Sequence, residues 1–266
     1  MRVCLSIAGS DSSAGAGIQA DLKTFAAHGV YGVTAITAVT VQNTMGVEAV
    51  QEMRPDIVSG QIRCLFRDMP VHAVKIGMVF NTRIIEAIAS ELRSTEVPPI
   101  VLDPVMVSKS GFELLQPDAR EALQRDLLPL ADLVTPNLHE AGLLTGRTMG
   151  NVADMEGAAR ELLQTGCGAI VIKGGHLGDR SVTDVYCDAN GIAHLRGEFV
   201  PTSNTHGTGC TFSSALAANL ALGRTPHEAA SRGKGYIGAA LAASSPLGHG
   251  HGPVNHFPGD WSPDSD

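Results

Sequence analysis

The sequence predicts a single α/β domain with a mainly parallel central sheet and helices on both faces. Apolar, β-branched runs alternate with helical patterns along most of the 266 residues, and this alternation is typical of a parallel sheet. Hydrophobic residues make up 44 % of the chain and charged residues 17 %, so the chain can bury a large core. Neither a linker-like segment nor an internal repeat divides it, which predicts one domain over residues 1–266.

The first half of the chain opens with a strand and an amphipathic helix. The run "VCLSIAG" is apolar and predicts the first strand. Ile18, Leu22 and Phe25 recur at helical spacing between Ala16 and His28, which predicts the first helix. The same two patterns predict, in order, the strand "GVTAITAVTV", the helix "DIVSGQIRCLF", the strand "HAVKIG", the helix "TRIIEAIASEL" and the strand "PPIVLDP".

The second half continues the alternation and then changes character. Its first predicted elements are the helix "DAREALQRDLL", the strand "ADLVTP", the helices "LHEAGLLTG" and "VADMEGAARELLQTG", and the strand "GAIVIKGG". The runs "SVTDVYCD" and "GIAHLRGEFV" predict a hairpin that turns at "ANG". Two helices rich in small residues follow, "TGCTFSSALAANLALG" and "PHEAASRGKGYIGAALAASS". Residues 246–266 show little pattern and are expected to form a loosely held extension.

The charge and the cysteines exclude several classes of function. With a net charge of −8 and no basic block, a nucleic-acid partner is not expected. No run approaches the roughly 18 apolar residues that a membrane span needs, and "MRVCLSIAGS" is too short and too polar for a signal peptide. The five cysteines form no CxxC pair, which disfavours a disulfide framework or a zinc site and predicts a reducing, cytoplasmic location.

Charged residues follow the predicted strands, where an open parallel sheet binds its ligands. Asp103 ends the strand "IVL" and could hold Mg²⁺ through water, although a turn-forming acid is the simpler alternative. Lys173 follows "AIVI" and could either reach a site at this edge or be a solvated loop cation. Asn137 and Glu140 have the spacing of a helix capping box, and Glu140 could also lie near a metal-bound triphosphate.

Two glycine-rich stretches could approach a ligand closely. Residues 15–20 match the G-x-G-x-x-A dinucleotide fingerprint, but they lie too far beyond the first strand, and no acidic residue follows about 20 positions later. In "NTHGTGC", a helix predicted over 208–222 leaves the N–H groups of residues 207–210 free to bind an anion. This helix terminus should lower the pKa of the Cys210 thiol. The alternative is an ordinary glycine loop with a buried cysteine.

Seven sequence motifs occur in one order between Ser6 and Ala217: "SIAGSDSSAGAGIQADLKTF", "TAVTVQNT", "KIGMV", "VLDPVMVSKSG", "TPNLHEAGLLTG", "VIKGGH" and "HGTGCTFSSALA". Together they resemble the hydroxymethylpyrimidine/phosphomethylpyrimidine kinases of thiamine biosynthesis, in the ribokinase-like superfamily. The resemblance implies a ribokinase-like three-layer α/β/α sandwich, the use of ATP with Mg²⁺, and a homodimer. It also implies two successive phosphoryl transfers, first to the hydroxymethyl oxygen of 4-amino-5-hydroxymethyl-2-methylpyrimidine and then to the resulting phosphate.

The resemblance assigns roles to residues of this chain. The implied pyrimidine pocket is lined by Gly9, Ala16, Asp21, Gln42, Met78 and Val105. The implied phosphoryl-transfer residues are Lys173, which contacts ATP phosphates, and an anion hole of Gly207, Thr208, Gly209 and Cys210, in which Cys210 is also catalytic. The residues implied near Mg²⁺ and its waters are Asp103, Asn137 and Glu140. Gln42 would hydrogen-bond the aminopyrimidine edge, and Lys109 and Ser110 are candidates for a lid over the phosphate.

Cys210 departs from the superfamily pattern, in which this loop usually ends in an aspartate that takes a proton from a sugar hydroxyl. Our hypothesis is that a thiol can stay neutral beside the second acceptor, an anionic phosphate that a fixed carboxylate would repel, or become a thiolate to activate an alcohol. Three alternatives stay open. They are a pyridoxal or pyridoxine kinase, alone or as a dual activity, a hydrolase with Cys210 as nucleophile and His206 as base, and a catalytically inactive pyrimidine-binding regulator.

Overall fold

Nine strands form one sheet in the structure, a computed structural model that describes residues 1–94, 96, 98–108, 111–175 and 181–259. The strands are β1 (Val3–Asp11), β2 (Tyr31–Asn43), β3 (Gly46–Glu52), β4 (Ala73–Ile76), β5 (Ile100–Leu102), β6 (Leu133–Val134), β7 (Ala169–Ile172), β8 (Ser181–Asp188) and β9 (Gly191–Glu198). Their order across the sheet is β3-β2-β1-β4-β5-β6-β7-β8-β9. The six neighbouring strands β2, β1, β4, β5, β6 and β7 are parallel to one another. Strand β3 at one edge and the β8–β9 hairpin at the other edge pair antiparallel.

Eight α-helices in the described part of the chain cover both faces of this sheet. They are α1 (Gly17–Ala27), α2 (Pro55–Asp68), α3 (Thr82–Arg93), α4 (Ala119–Ala122), α5 (Leu138–Thr145), α6 (Val152–Leu163), α7 (Thr208–Ala221) and α8 (Pro226–Ala242). Helix α4 continues into a π-helical turn, Leu123–Leu127, and a 3-10 turn, Leu128–Leu130.

Alternating strand residues divide the core into two layers. On β1, Leu5 and Ile7 pack in the layer that contains α2 to α6, while Cys4 packs in the layer that contains α1, α7 and α8. The predicted three-layer arrangement and the predicted hairpin at "ANG" are therefore confirmed. The sequence does not predict β3, because this exposed edge strand carries a mixed polar pattern and follows β2 after only two residues.

The expectation of a loosely held C-terminal tail is wrong for residues 251–256. The His206 amide donates to the Gly252 carbonyl over 3.0 Å, and the Asn255 amide donates to the Ala240 carbonyl over 3.1 Å. Val254 is buried in the layer of α7 and α8. The apparent lack of pattern hides a short extended segment whose backbone bonds and one apolar side chain fix it to the domain.

The parallel register brings the carboxyl ends of the central strands to one edge of the sheet. Ile76 pairs with both Ile7 and Leu102, and Leu102 pairs with Val134. Residues that follow these strands therefore meet in space although they are far apart in the chain. Among the described residues, no helix has both the length and the apolar character that a membrane crossing requires.

Candidate active site

A cavity of about 200 Å³ opens at the carboxyl edge of the sheet. Its walls come from the ends of β1 and β2, from residues that follow β4 to β7, and from the start of α7. Asp21 does not line it. The other residues predicted for the substrate pocket, the anion hole and the metal site all do: Gly9, Ala16, Gln42, Met78, Asp103, Val105, Asn137, Glu140, Lys173, Gly207, Thr208, Gly209 and Cys210.

The loop before α7 has the form of an anion-binding helix terminus. Helix α7 begins at Thr208, and its N-cap Gly207 has a φ of 76° and offers no side chain to cap the helix. A Cβ at Gly207 would lie 1.7 Å from the Gly15 carbonyl oxygen, so only glycine allows this close approach. The Thr208 N–H donates to the Thr205 carbonyl over a long 3.3 Å, which leaves the N–H groups of Gly209 and Cys210 for an anion in the cavity.

The expectation of a lowered pKa for Cys210 is wrong. The pKa of this thiol is raised to about 11, mainly by burial; Lys75 opposes the rise, and Asp21 and Asp103 add to it. The effect of the helix terminus on a thiolate is therefore outweighed by loss of solvent. At neutral pH Cys210 is a neutral thiol at the wall of the cavity.

Lys173 and Asp103 form an ion pair inside the site. The Lys173 Nζ lies 3.0 Å from Asp103 Oδ1, and Thr135 and Ser213 donate hydroxyl hydrogen bonds to the same carboxylate. Burial opposes ionisation of Asp103, but Lys173 and Lys75 outweigh it and hold its pKa below the usual range. Burial likewise opposes the charge on Lys173, and Asp103 and Glu140 raise its pKa. Asp103 is thus more than a turn former, and Lys173 is no solvated loop cation.

Asn137 and Glu140 form the capping box that their spacing indicates. The Asn137 backbone N–H donates to Glu140 Oε2 over 2.7 Å, and the Glu140 backbone N–H donates to Asn137 Oδ1 over 2.9 Å. Both residues also line the cavity. Burial raises the pKa of Glu140 to about 7; Lys173 lowers this pKa and Asp103 raises it. The Glu140 carboxylate therefore caps α5 and also faces the cavity, so a capping role and a role near a metal are compatible for Glu140.

The donor set fits magnesium held largely through water. Asp103 and Glu140 offer carboxylate oxygens, the ligand type that Mg²⁺ prefers, and both line the cavity. Within the described ranges, no group of three His, Cys, Asp or Glu side chains could hold a metal by itself. Such a sparse set suits Mg²⁺, which keeps several waters and binds through one or two carboxylates together with substrate phosphates.

A hydrogen bond that the sequence does not predict lies at the other end of the cavity. His206 Nε2 is 2.7 Å from Asp11 Oδ2, and the same ring nitrogen lies 3.4 Å from Gln42 Nε2. Burial opposes ionisation of Asp11, but hydrogen bonds from His206, Ser13 and the Ala16 amide lower its pKa to about 2. The available signal was an acid at the carboxyl end of the first strand. His206 is held by Asp11 and not by Cys210, which removes the geometry of a Cys–His dyad.

The prediction that Asp21 lines the pyrimidine pocket is wrong, because Asp21 lies beneath the cavity and not at its wall. Its carboxylate is fully buried and contacts Lys75 Nζ at 2.9 and 3.0 Å. Ser6 and Ser214 also donate to it. Asp21 is on the inward side of α1, where β1, β4 and α7 enclose it. The sequence does not single out Lys75, although a lysine within the apolar run "AVKI" was a signal.

The two proposed lid residues, Lys109 and Ser110, lie outside the described residues.

Comparison with known proteins places this site in a family. The family model described as phosphomethylpyrimidine kinase matches residues 11–255. The chain belongs to the phosphomethylpyrimidine kinase family. The hydroxymethylpyrimidine/phosphomethylpyrimidine kinase of Rhizobium meliloti (strain 1021) is 51 % identical over 262 residues, which are 97 % of this chain and 98 % of the relative. The Escherichia coli (strain K12) protein of the same name is 44 % identical, with the same coverage of 97 % and 98 %.

Solved structures extend the likeness to three dimensions. Phosphomethylpyrimidine kinase from Clostridium difficile 630 is 45 % identical with a TM-score of 0.80, over 89 % of this chain and 98 % of that one. An ADP complex of Bacillus subtilis pyridoxal kinase is 40 % identical with a TM-score of 0.91, over 97 % and 98 %. The predicted ribokinase-like fold and the predicted phosphotransferase class are confirmed. These results set aside the hydrolase and the inactive regulator.

Proposed function

We propose that this kinase uses ATP and Mg²⁺ to phosphorylate 4-amino-5-hydroxymethyl-2-methylpyrimidine and then its monophosphate, in thiamine biosynthesis. One observation carries the proposal: a single cavity joins an open helix terminus and the Lys173–Asp103 pair to a small pocket around Gln42 and Met78. Phosphoryl transfer depends mainly on positioning and charge stabilisation, and this arrangement provides both.

The pyrimidine end of the cavity offers an amide and apolar walls. Thr40 Oγ1 donates to Gln42 Oε1 over 3.1 Å, which orients the side-chain amide. The Gln42 amide then presents a donor and an acceptor to the aminopyrimidine edge. A Cβ at Gly9 would be 2.8 Å from the Met78 sulfur, so glycine at this position lets the Met78 side chain pack closely against β1 in the pocket wall. Val105 and Ala16 complete this pocket.

The other end of the cavity has the charges that a transferring phosphoryl group requires. Lys173 contacts the ATP phosphates, and the loop from Gly207 to Cys210 binds the transferring group through the amides of Gly209 and Cys210. Asp103, Asn137 and Glu140 would hold Mg²⁺ and its waters, and the ion would supply positive charge that neutralises the phosphates. The ADP complex of the Bacillus subtilis relative supports nucleotide binding by this fold.

Cys210 suits two acceptors of different charge. With a pKa of about 11 the thiol is neutral at physiological pH, so it does not repel the phosphate that accepts the second phosphoryl group. An aspartate in its place would be anionic. The first acceptor is an alcohol that reaches the phosphoryl group in the same anion hole, and its proton can pass to an oxygen of the transferred phosphoryl group late in a loose transition state.

A second candidate is a pyridoxal kinase activity, alone or together with the first. The Bacillus subtilis and Staphylococcus aureus pyridoxal kinases superimpose with TM-scores of 0.91, which favours this alternative. Vitamin B6 also carries a hydroxymethyl group on a flat ring. The candidates differ in one step, because a kinase for pyridoxal alone does not phosphorylate the pyrimidine monophosphate.

A coupled ADP-release assay tests the proposal with three acceptors offered separately. We expect turnover with hydroxymethylpyrimidine and with its monophosphate, and loss of turnover in Lys173→Met. A large kcat/KM preference for pyridoxal, with no turnover of the monophosphate, would establish the second candidate instead. Chelation of Mg²⁺ is expected to abolish every reaction, and re-addition to restore it.

We also propose a cytoplasmic homodimer. Val39 and Val41 are two positions apart on β2, and both are exposed, at 44 % and 56 %. Exposed apolar positions on one strand face support a protein interface. All five cysteines are free, which suits a reducing compartment. Analytical ultracentrifugation checks the assembly, and a monomer at micromolar concentration would contradict it.

A further inference from the structure

Lys75 is a buried cation that the proposed mechanism does not use. It is the third residue of β4, and its side chain is fully buried. Lysine is almost never fully buried unless it is paired. Its partner is Asp21 of α1, with Nζ to Oδ1 and Oδ2 distances of 2.9 and 3.0 Å. The pair as a whole is neutral, but its two charges occupy different places relative to the cavity.

The cation lies on the cavity side of this pair. Lys75 contributes to the cavity wall, whereas Asp21 does not. The two carboxylate oxygens of Asp21 are held from behind by Ser6 of β1, over 2.5 Å, and by Ser214 of α7, over 2.6 Å. The ion pair is therefore a fixed dipole with its positive end toward the site of phosphoryl transfer.

The neighbouring glycine makes room for this placement. A Cβ at Gly77 would lie 2.7 Å from Lys75 Nζ. Any larger residue at that position would push the ammonium group away from its place between β4 and the cavity. The short run "KIG" thus combines the cation and the space that it occupies.

Lys75 acts electrostatically on two residues of the site. It lowers the pKa of Cys210 and that of Asp103, in each case against the larger effect of burial. The charged groups that act on Cys210 are Lys75, Lys173, Asp21 and Asp103. Since little solvent separates them, such interactions are much stronger than in water.

Folding stability is only a weak explanation for the presence of the buried Lys75–Asp21 ion pair. Replacing a buried ion pair by uncharged residues of similar volume is often neutral or stabilising. A fixed cation near a developing anion, in contrast, adds to transition-state stabilisation without any reorganisation. We propose that Lys75 is a second cation of the phosphoryl-transfer site, a positioning residue that acts through the start of α7 on Cys210 and on the anion bound there. The inference rests on the proposed function for the identity of that anion.

The test removes both charges while it keeps the packing. In Lys75→Met/Asp21→Asn the net charge is unchanged, and the carbonyl oxygen of the introduced asparagine can still accept from Ser214. Lys75→Met alone strands a buried carboxylate and is expected to unfold at a much lower temperature. For the double variant we expect a melting temperature near that of the wild type and a kcat about tenfold lower for both acceptors, with little change in KM for the pyrimidine.

A matched pair elsewhere controls for the loss of a buried ion pair. Lys234 Nζ lies 2.7 Å from Asp184 Oδ2, and both side chains are mostly buried but do not line the cavity. Lys234→Met/Asp184→Asn is expected to keep the wild-type kcat. If Lys75→Met/Asp21→Asn also keeps it, or if both double variants lose kcat equally, Lys75 has only a structural role and the proposal is overturned. Lys75→Met/Asp21→Leu serves as a second version should the first double variant not fold.

The reactivity of Cys210 gives a readout that does not depend on kinase activity. In a Cys64→Ser background, which removes the exposed cysteine, the rate of Cys210 alkylation by iodoacetamide is followed by mass spectrometry at one mildly alkaline pH. In Lys75→Met/Asp21→Asn this rate should fall, because the lost Lys75 favours the thiolate more strongly than the lost Asp21 disfavours it. An unchanged rate would contradict the proposal. Inactivity of the wild type on pyrimidines, with the alkylation difference intact, would contradict only the proposed function.

Discussion

The first turns of α7 and α8 show two opposite ways to begin a helix. Helix α8 is closed by its own side chains: Thr225 Oγ1 accepts from the Glu228 amide, Glu228 accepts from the Thr225 amide, and Pro226 follows the cap. Helix α7 begins after Gly207, which has no side chain to offer. The free N–H groups that α8 satisfies internally are left open in α7 at the wall of the cavity. The absence of a capping side chain, together with glycine, leaves the N-terminus of α7 open at the proposed anion site.

Burial explains why α7 is stable without a cap. Every residue from Thr211 to Ala221 is buried, so tertiary packing holds the helix. Helix α8 is more exposed, and it depends more on its local capping box. Substitutions at and near the two helix starts test whether this difference in capping is functional.

The largest effect is expected from Gly207→Ala. The new Cβ would meet the Gly15 carbonyl at 1.7 Å, so the anion loop must move, and kcat should fall at least about 100-fold. Gly223→Ala is the matched control, because Gly223 also has a positive φ of 88° but no atom within 4 Å of its added Cβ. It should lose about 1 kcal/mol of stability from backbone strain and keep its kcat. Equal kcat values for the two variants would contradict the role of the loop.

Cys210→Asp should separate the two phosphoryl transfers. A fixed negative charge repels the monophosphate more than the alcohol, so we expect about tenfold greater loss of kcat/KM for the monophosphate. Cys210→Ser, which is neutral, controls for the loss of the thiol and should treat both acceptors alike. Initial rates with each acceptor give the two kcat/KM values. Equal losses of kcat/KM for both acceptors in Cys210→Asp would contradict the charge argument.

Thr225→Ala should affect stability alone. It removes the side chain that caps α8 and is expected to destabilise the protein by about 1 kcal/mol. Because this terminus is away from the cavity, kcat should stay at the wild-type value. Urea unfolding and the coupled assay together check the prediction. A matched loss of activity would mean that α8 also contributes to the site.

The effect that is smallest near neutral pH concerns His256, which contacts both helices. His256 Nε2 lies 3.1 Å from Thr211 Oγ1 of α7, and its carbonyl accepts from Tyr236 of α8. The pKa of His256 is lowered to about 3, mainly by burial and in smaller part by Lys23 and His206. As the pH falls from 6.5 toward 3, His256 is protonated in the unfolded chain before it is protonated in the folded protein. The free energy of unfolding therefore decreases with falling pH over this range.

The expected contribution of His256 is about 0.4 kcal/mol at pH 6.5 and grows at lower pH. His256→Gln should flatten the pH dependence of the unfolding free energy over this range. His28, whose pKa burial lowers to about 4, stays in the variant and accounts for part of the remaining slope. Urea unfolding at several pH values measures both slopes, and identical slopes would contradict the assignment.

Much of this protein follows from short-range sequence patterns. The alternation of apolar runs and helical rhythms determined the parallel sheet, and the residues after those runs were identified because parallel strands end at one edge. The capping box of Asn137 and Glu140 and the glycine loop before α7 are also local patterns. They depend on spacing within a few residues, so the sequence alone determined them.

The tertiary structure decided the states of the site residues. It buried Cys210 and raised its pKa, placed Asp21 against Lys75 beneath the cavity, and brought Glu140 from a helix cap into the site. It also fixed a tail that has no clear sequence pattern. Each of these outcomes depends on solvent exclusion and on charges that lie far apart in the chain, and these arise only when the layers pack together.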